Sequence, residues 1–351
     1  MTCAEGRLAI ATDVSLEGAN TLRLPARADY FCRVATLGAL REALAFAAAR
    51  DLPITVLGAG SNTVFLSRVP GLVIQMANRG RERVDGDGDS LVLAVAAGES
   101  WANLVEETLA EGWYGLENLT AIPGTVGAAP IQNIGAYGVE LADRLVGVEV
   151  VDVASGRLRF LPAAACGLAY RDSLFRRELR GRTVIWRVFL RLSRTPAVNL
   201  SHPEVAAALA GRPADPRAVA RAVAALRRAK LPDPAELPNA GSFFKNPLLD
   251  ERQAALLARR WPGLPRFPTG DGRVKVPAAW LLDRLGWKGR RCGSYAVHDR
   301  QPLVLVHLGG GTGEGLVAFA AELAADVEAR CGVALELEAV PVGVGDSGDA
   351  R

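Results

Sequence analysis

Apolar positions along this chain recur with two periods, and the alternation between them lays out the elements. Spacings of three and four residues predict helices over residues 40–49, 101–111, 216–230, 251–260, 277–285 and 313–330. Short apolar runs bounded by turn residues predict strands at 54–57, 71–75, 91–96, 145–153, 184–192, 302–308 and 334–340. Pro216 suits the first turn of its helix, where a missing N–H costs nothing, and Leu231-Pro232 stops that helix after Lys230. The proline-rich stretch 231–238 reads as a domain boundary. No internal repeat is visible, so the pattern predicts a mixed α+β, multi-domain chain. Which strands share a sheet does not follow from periodicity.

Residues 115–138, GLENLTAIPGTVGAAPIQNIGAYG, break the pattern with five glycines and a single charge, Glu117. Glycine tolerates positive φ and carries no Cβ, so such a loop can aim peptide N–H groups at phosphate oxygens without any charged side chain. A packed glycine-rich turn would have the same composition. A second neutral turn, Gly58-Ala59-Gly60-Ser61-Asn62, follows the strand at 54–57. It lacks the third glycine and the following helix of a dinucleotide fingerprint, because Thr63-Val64-Phe65 reads as strand. Two such turns are what a long, pyrophosphate-linked cofactor needs.

Composition narrows the classes. The 351 residues, half of them hydrophobic, can bury a large core, and 41 basic against 38 acidic residues give a net charge of only +3. That balance argues against a nucleic-acid binder working through a positive field. Five scattered cysteines, Cys3, Cys32, Cys166, Cys292 and Cys331, and three histidines offer neither a disulfide framework nor a metal-ligand spacing. No metal is expected, and a reducing cytoplasm fits best. No apolar run approaches the roughly 20 residues that span a bilayer, and the first residues do not read as a signal peptide. Residues 1–15 and 344–351 are expected to be tails.

Four further segments carry candidate chemistry. Tyr170-Arg171-Asp172-Ser173 offers a guanidinium fork for a carboxylate, or a surface ion pair of Arg171 with Asp172 or a nearby acid. Residues 239–247, NAGSFFKNP, place Ser242 beside two aromatics, either as a tight turn or as a hydroxyl able to deliver a proton in a dry pocket. Glu336 and Glu338 alternate on the last predicted strand and so share one face, which is solvent-facing in the simplest reading. Arg217, Arg221 and Arg228, with Arg227 and Lys230 alongside, form a solvated helix surface or a phosphate-binding one.

These blocks, together with LGAGSN at Leu57, YRDSLF at Tyr170, KLPDP at Lys230, KVPAAWLLDRLGWKG at Lys275 and AVH at Ala296, resemble the UDP-N-acetylenolpyruvoylglucosamine reductase (MurB) family over residues 20–343. The resemblance implies a two-subdomain FAD-binding fold of the PCMH/vanillyl-alcohol-oxidase-like kind and a C-terminal α+β substrate-binding domain. On that basis residues 16–78, completed by 334–343, form FAD-binding subdomain 1, residues 79–231 form subdomain 2, and residues 232–333 bind substrate. It implies FAD as cofactor, NADPH as hydride donor, and reduction of UDP-N-acetylglucosamine enolpyruvate to UDP-N-acetylmuramate for peptidoglycan synthesis by a monomer.

By the same resemblance, Gly58, Ala59, Gly60, Ser61, Asn62, Ile122, Pro123, Gly124, Thr125, Gly127, Ala128, Gln132, Asn133, Gly135 and Ala136 hold FAD. Arg171 and Glu338 stabilise an enolate-like intermediate, Ser242 donates the proton, and Tyr170, Arg227, Lys230 and Asn246 contact substrate. Glu338 in that role has to be protonated, so a raised pKa is expected. Two departures stand out. The lid tyrosine of the type I branch is matched by Leu179, and Glu338 is followed by Ala339-Val340 where the family has an arginine. Another flavoenzyme on the same FAD-binding domain, or a flavin or nucleotide-sugar binder without turnover, are the competing readings. The NAGSFFKNP block with Arg171 disfavours the first, and the presence of all three catalytic candidates disfavours the second.

Overall fold

The computed structural model describes residues 8–344. The expected C-terminal tail beyond Val344, the first seven residues and Cys3 lie outside them. The described chain forms two compact units. One comprises residues 8–14, Ala28–Ala59 and Pro70–Ala229, and the other comprises Ser15–Arg27, Gly60–Val69 and residues 230–344. The border at 229/230 falls at the start of the proline-rich stretch.

The first unit holds two sheets. Its smaller sheet runs in the order Ala11–Ser15, Arg27–Val34, Arg68–Met76, Ile54–Leu57, so part of the expected N-terminal tail is strand. The last pair is parallel, Ile54 opposite Leu72. Helix Leu37–Ala48 covers this sheet through Leu40, Ala43, Leu44 and Ala47, an i, i+3, i+4, i+7 stripe. Its start is set by Thr36, whose hydroxyl accepts the Ala39 N–H at 3.1 Å.

The larger sheet is antiparallel, in the order Leu158–Pro162, Leu145–Asp152, Thr183–Ser193, Ser90–Ala96, Arg81–Asp85. Helix Trp101–Ala110, capped by Ser100, packs Trp101, Leu104, Val105 and Leu109 into the same core as Val95, Val148 and Val188. Trp101 also donates its indole N–H to the Leu119 carbonyl at 2.9 Å, pinning the first part of the glycine-rich loop. Helix Pro216–Lys230 has the bounds its pattern predicts.

In the second unit, strands Asn239–Ser242, Val304–His307, Tyr295–Val297 and Arg291–Cys292 form an antiparallel sheet. Helix Gly313–Cys331 supplies Leu316, Phe319, Ala320 and Leu323 to a core shared with Phe243, Phe244 and Leu305. Each fully buried phenylalanine contributes roughly 2–3 kcal/mol by burial, which fixes the NAGSFF turn through its aromatics. Helix Glu251–Arg260 opens on a capping box, Asp250 with Gln253.

The expected strand at 334–340 is not continuous. Leu337 makes an isolated bridge to Phe244, and regular pairing begins only at Val340–Val342, parallel to Thr63–Phe65. The segment changes partners there, leaving the 243–245 turn for a different strand, and an alternating pattern carries no information about such a switch. Glu336 is accordingly exposed and paired with Lys245 at 2.8 Å, while Glu338 is half-buried, so the two carboxylates have different surroundings.

Candidate active site

In the first unit the start of one glycine turn, Gly58, packs against Thr125 of the other. A Cβ on Gly58 would lie 2.3 Å from the Thr125 hydroxyl, and one on Gly127 would lie 2.5 Å from the Ala97 Cβ, so only glycine permits this closeness. Thr125 forms an isolated bridge with Ser100, through Trp101 N–H to the Gly124 carbonyl at 3.1 Å and Val126 N–H to the Glu99 carbonyl at 2.9 Å. That bridge turns the Thr125 amide outward. Among the described residues the amides of Ala59, Gly124 and Thr125 donate to no protein acceptor. Uncharged, outward amides at a glycine-lined approach fit the phosphates of a dinucleotide cofactor.

Not every expected cofactor residue faces that way. Gly60 has φ of +63°, and a Cβ there would sit 2.1 Å from the Ala19 carbonyl oxygen, so packing within the second unit already demands glycine. Asn133, also at positive φ, is buried with its side chain fully engaged. Its amide donates to Glu140 Oε2 at 2.8 Å and to the Ala169 carbonyl at 3.1 Å, and its oxygen accepts the Ala142 N–H at 2.9 Å.

Asn133 thereby ties the loop to the arginine segment. Ala169 and Asp172 close a tight turn by reciprocal backbone bonds of 3.0 and 3.2 Å, with Tyr170 and Arg171 at its tip. Arg171 takes φ of +52°, a left-handed conformation that costs a non-glycine residue about 1 kcal/mol. Its guanidinium donates to the Gly135 carbonyl at 2.8 Å and lies 5.5 Å from the Tyr170 ring. Buried Ser173 fastens the turn's other side, donating to the Ile131 carbonyl at 2.7 Å. Asp172 pairs with Arg177.

Arg227 leaves the solvated face of its helix, donating from Nε to the Ala121 carbonyl at 3.2 Å. Burial pulls its pKa below the usual arginine range, Tyr137 opposing that shift and Arg171 adding to it. Two guanidiniums are therefore close enough to repel, each held by a carbonyl of residues 115–138. Arg221 and Arg228 are exposed, and Arg217 donates to the Leu109 and Ala110 carbonyls at the end of a neighbouring helix. Leu179 packs against the core of the first unit.

The second unit gathers Ser242, Asn246, Glu338 and Asn62. Ser242 ends the strand Asn239–Ser242, opposite Val304, after Gly241 at φ of +71°. Phe243, the next residue, accepts the Glu338 N–H on its carbonyl at 2.9 Å. Asn62 donates its side-chain amide to the Glu338 carbonyl at 3.0 Å. Asn246 accepts the Ala278 N–H at 3.0 Å, capping the start of helix Ala278–Arg284. Lys230 is half-buried at the end of its helix. A third glycine run, Gly309-Gly310-Gly311, leads into helix Gly313–Cys331 but is no phosphate loop. Gly311 N–H is taken by His307 Nε2 at 3.0 Å and Thr312 N–H by the Tyr295 hydroxyl at 2.7 Å.

Residues 28–161 match the family model of an FAD binding domain, and residues 233–342 match that of the UDP-N-acetylenolpyruvoylglucosamine reductase C-terminal domain. The protein of that name from Chromobacterium violaceum is 45% identical over 335 residues, covering 94% of this chain and 98% of its own. The chain belongs to the UDP-N-acetylenolpyruvoylglucosamine reductase family. A Burkholderia pseudomallei relative of the same name, strain K96243, is 46% identical over 345 residues, covering 97% of this chain and 99% of its own. The crystal structure of the family's Thermus caldophilus member superposes with a TM-score of 0.64 at 27% identity, covering 96% of this chain and 99% of that one. The expected α+β architecture, an FAD-binding domain joined to a family-specific C-terminal domain, is thus borne out. Both glycine turns fall in the FAD-binding match, whereas Ser242 and Glu338 fall in the C-terminal one.

Sequence reasoning missed Tyr137 and Asn118. Tyr137 sits at φ of +49° with its ring edge-on to His202 at 4.9 Å, and buried Asn118 donates to its carbonyl at 2.9 Å. The signal for Tyr137 was the one aromatic residue in the glycine-rich loop, next to Gly138. Among the described residues no helix is long and apolar enough to cross a membrane.

Proposed function

We propose that this protein is an FAD-dependent reductase that uses NADPH to convert UDP-N-acetylglucosamine enolpyruvate to UDP-N-acetylmuramate for peptidoglycan synthesis. FAD, when bound at the glycine turns, supplies the hydride for the enolpyruvyl double bond. Addition at the terminal carbon leaves negative charge on the carbon next to the substrate carboxylate. Arg171 stabilises that charge, its fork preset by Gly135 and by the strained turn. Protonated Glu338 donates a hydrogen bond to the same charge, and the Ser242 hydroxyl delivers the proton that completes reduction. Arg227 and Lys230, with Tyr170 and Asn246, bind the anionic remainder of the substrate, and an anion there relieves the repulsion between Arg227 and Arg171.

The observation that carries this reading is the Glu338 N–H to Phe243 carbonyl bond at 2.9 Å, which sets the acid beside the hydroxyl-bearing turn from a segment far away in sequence. The test is anaerobic. Purified protein should be yellow, NADPH should bleach the flavin, and UDP-N-acetylglucosamine enolpyruvate should restore the colour with release of UDP-N-acetylmuramate. Bleached protein that stays bleached would point to another flavoenzyme, and protein that binds flavin yet is never bleached would be a binder only.

A further inference from the structure

Asn62 belongs to the turn whose residues are expected to hold the flavin, yet its hydrogen bonds run to the C-terminal segment. The side-chain amide donates to the Glu338 carbonyl at 3.0 Å, and the Asn62 carbonyl accepts the Val340 N–H at 2.9 Å. These two bonds bracket buried Ala339. On its other side, Glu338 donates its own N–H to Phe243 at 2.9 Å, and the Phe243 N–H goes to the Leu303 carbonyl at 2.7 Å. The peptide groups of Glu338 are therefore gripped from both directions, by Asn62 and by the Ser242 turn. This is also the place where the chain leaves its bridge to Phe244 and begins pairing with Thr63–Phe65, so regular strand geometry does not hold Glu338. Something else has to.

We infer that Asn62 is a positioning residue for the reduction step, setting Glu338 against Ser242, rather than a ligand of the flavin. The inference rests on the roles assigned above to Glu338 and Ser242. An asparagine suits the task because one short amide reaches a carbonyl that the strand switch leaves outside a regular ladder. It also suits a position before β-branched Thr63, whose strand carries the second bond. Removing the amide frees the Glu338 peptide but leaves the main-chain bond to Val340, so the fold of the segment persists while the side chain's aim loosens.

The experiment separates the two halves of turnover. Asn62→Ala and the isosteric Asn62→Asp, which places an acceptor against the Glu338 carbonyl, are purified with FAD and their flavin is photoreduced without NADPH. Reoxidation by UDP-N-acetylglucosamine enolpyruvate is then followed in a single turnover. Expected are flavin occupancy and FAD Kd within about threefold of wild type, and reoxidation slowed about tenfold or more, as misplacement of a reacting group by a fraction of an ångström produces. The Asp variant should be the slower, and amide exchange at 337–340 should quicken in both. FAD affinity lost with reoxidation normal after reloading would make Asn62 a flavin ligand and overturn the inference. Wild-type reoxidation with unchanged amide exchange would overturn it equally. Ser242→Ala and Glu338→Gln run alongside: if these reoxidise normally, the assignment of the chemistry fails instead.

Discussion

The two units present their candidate residues by opposite means. In the first, cations are held on irregular backbone: Ala121, Asn133, Tyr137 and Arg171 all take positive φ without being glycine. Buried polar side chains, Asn118, Asn133 and Ser173, compensate by saturating the carbonyls that such backbone exposes. In the second, the hydroxyl and the acid sit at the rim of a sheet and an aromatic core, on Phe243 and Phe244. A preset cation needs a rigid carbonyl to point at, which loops supply. A hydroxyl and an acid that both donate need a well-packed backing, which strands and phenylalanines supply.

That contrast can be broken at several points. The largest effect is expected from Ser242→Ala, which should keep its flavin and its reduction by NADPH while slowing reoxidation by about a thousandfold, the usual share of a proton donor. Stopped-flow of the two half-reactions checks this, and normal reoxidation would remove the second unit from the chemistry. Arg171→Lys keeps the charge but loses the planar fork on Gly135 and Tyr170, so kcat/KM should fall about a hundredfold, near 2.7 kcal/mol. Wild-type kinetics with lysine would mean that the preset geometry of the first unit is immaterial.

Asn133→Ala strands the Ala142 N–H and the Ala169 carbonyl, costing about 2 kcal/mol in urea unfolding and slowing flavin reoxidation by UDP-N-acetylglucosamine enolpyruvate through a loosened Arg171 turn. Stability lost without any change in reoxidation would show that the polar knot holds the loop but not the arginine. The smallest effect concerns His298, buried in the second unit with Nδ1 accepting from the Arg300 and Gln301 amides at 3.4 and 3.3 Å. Burial lowers its pKa below 6.5, only partly offset by Asp299. The unfolded chain therefore takes up this proton first, and stability falls as pH drops below about 6.5. Thermal melts from pH 7.5 to 5 should lose less in His298→Gln than in wild type.

Much of this was legible in the sequence. Helices such as Pro216–Lys230 and Glu251–Arg260 follow directly from spacing and caps, because helical hydrogen bonds and periodic burial are local. The glycine turns and the SFF block were visible as departures from that periodicity. The last strand was not, because Leu337 and Val340 bond to different partners and one alternating pattern cannot encode two registers. Nor was the fate of Asp172, whose pairing with Arg177 depends on where a turn of only four residues sends each side chain.

The sequence by itself therefore determined most of the helices and strands, the neutral character of the glycine turns and the residue types that are candidates for the chemistry, since each rests on residue type and short-range order. Tertiary structure alone decided which glycines are required by packing, as Gly58 is by Thr125, and where the asparagines point. It also decided that Arg227 reaches the Ala121 carbonyl and that Glu338 bonds by its N–H to the residue after Ser242. Those pairings join segments that are remote along the chain, and no local preference can specify a contact made only when both partners have folded.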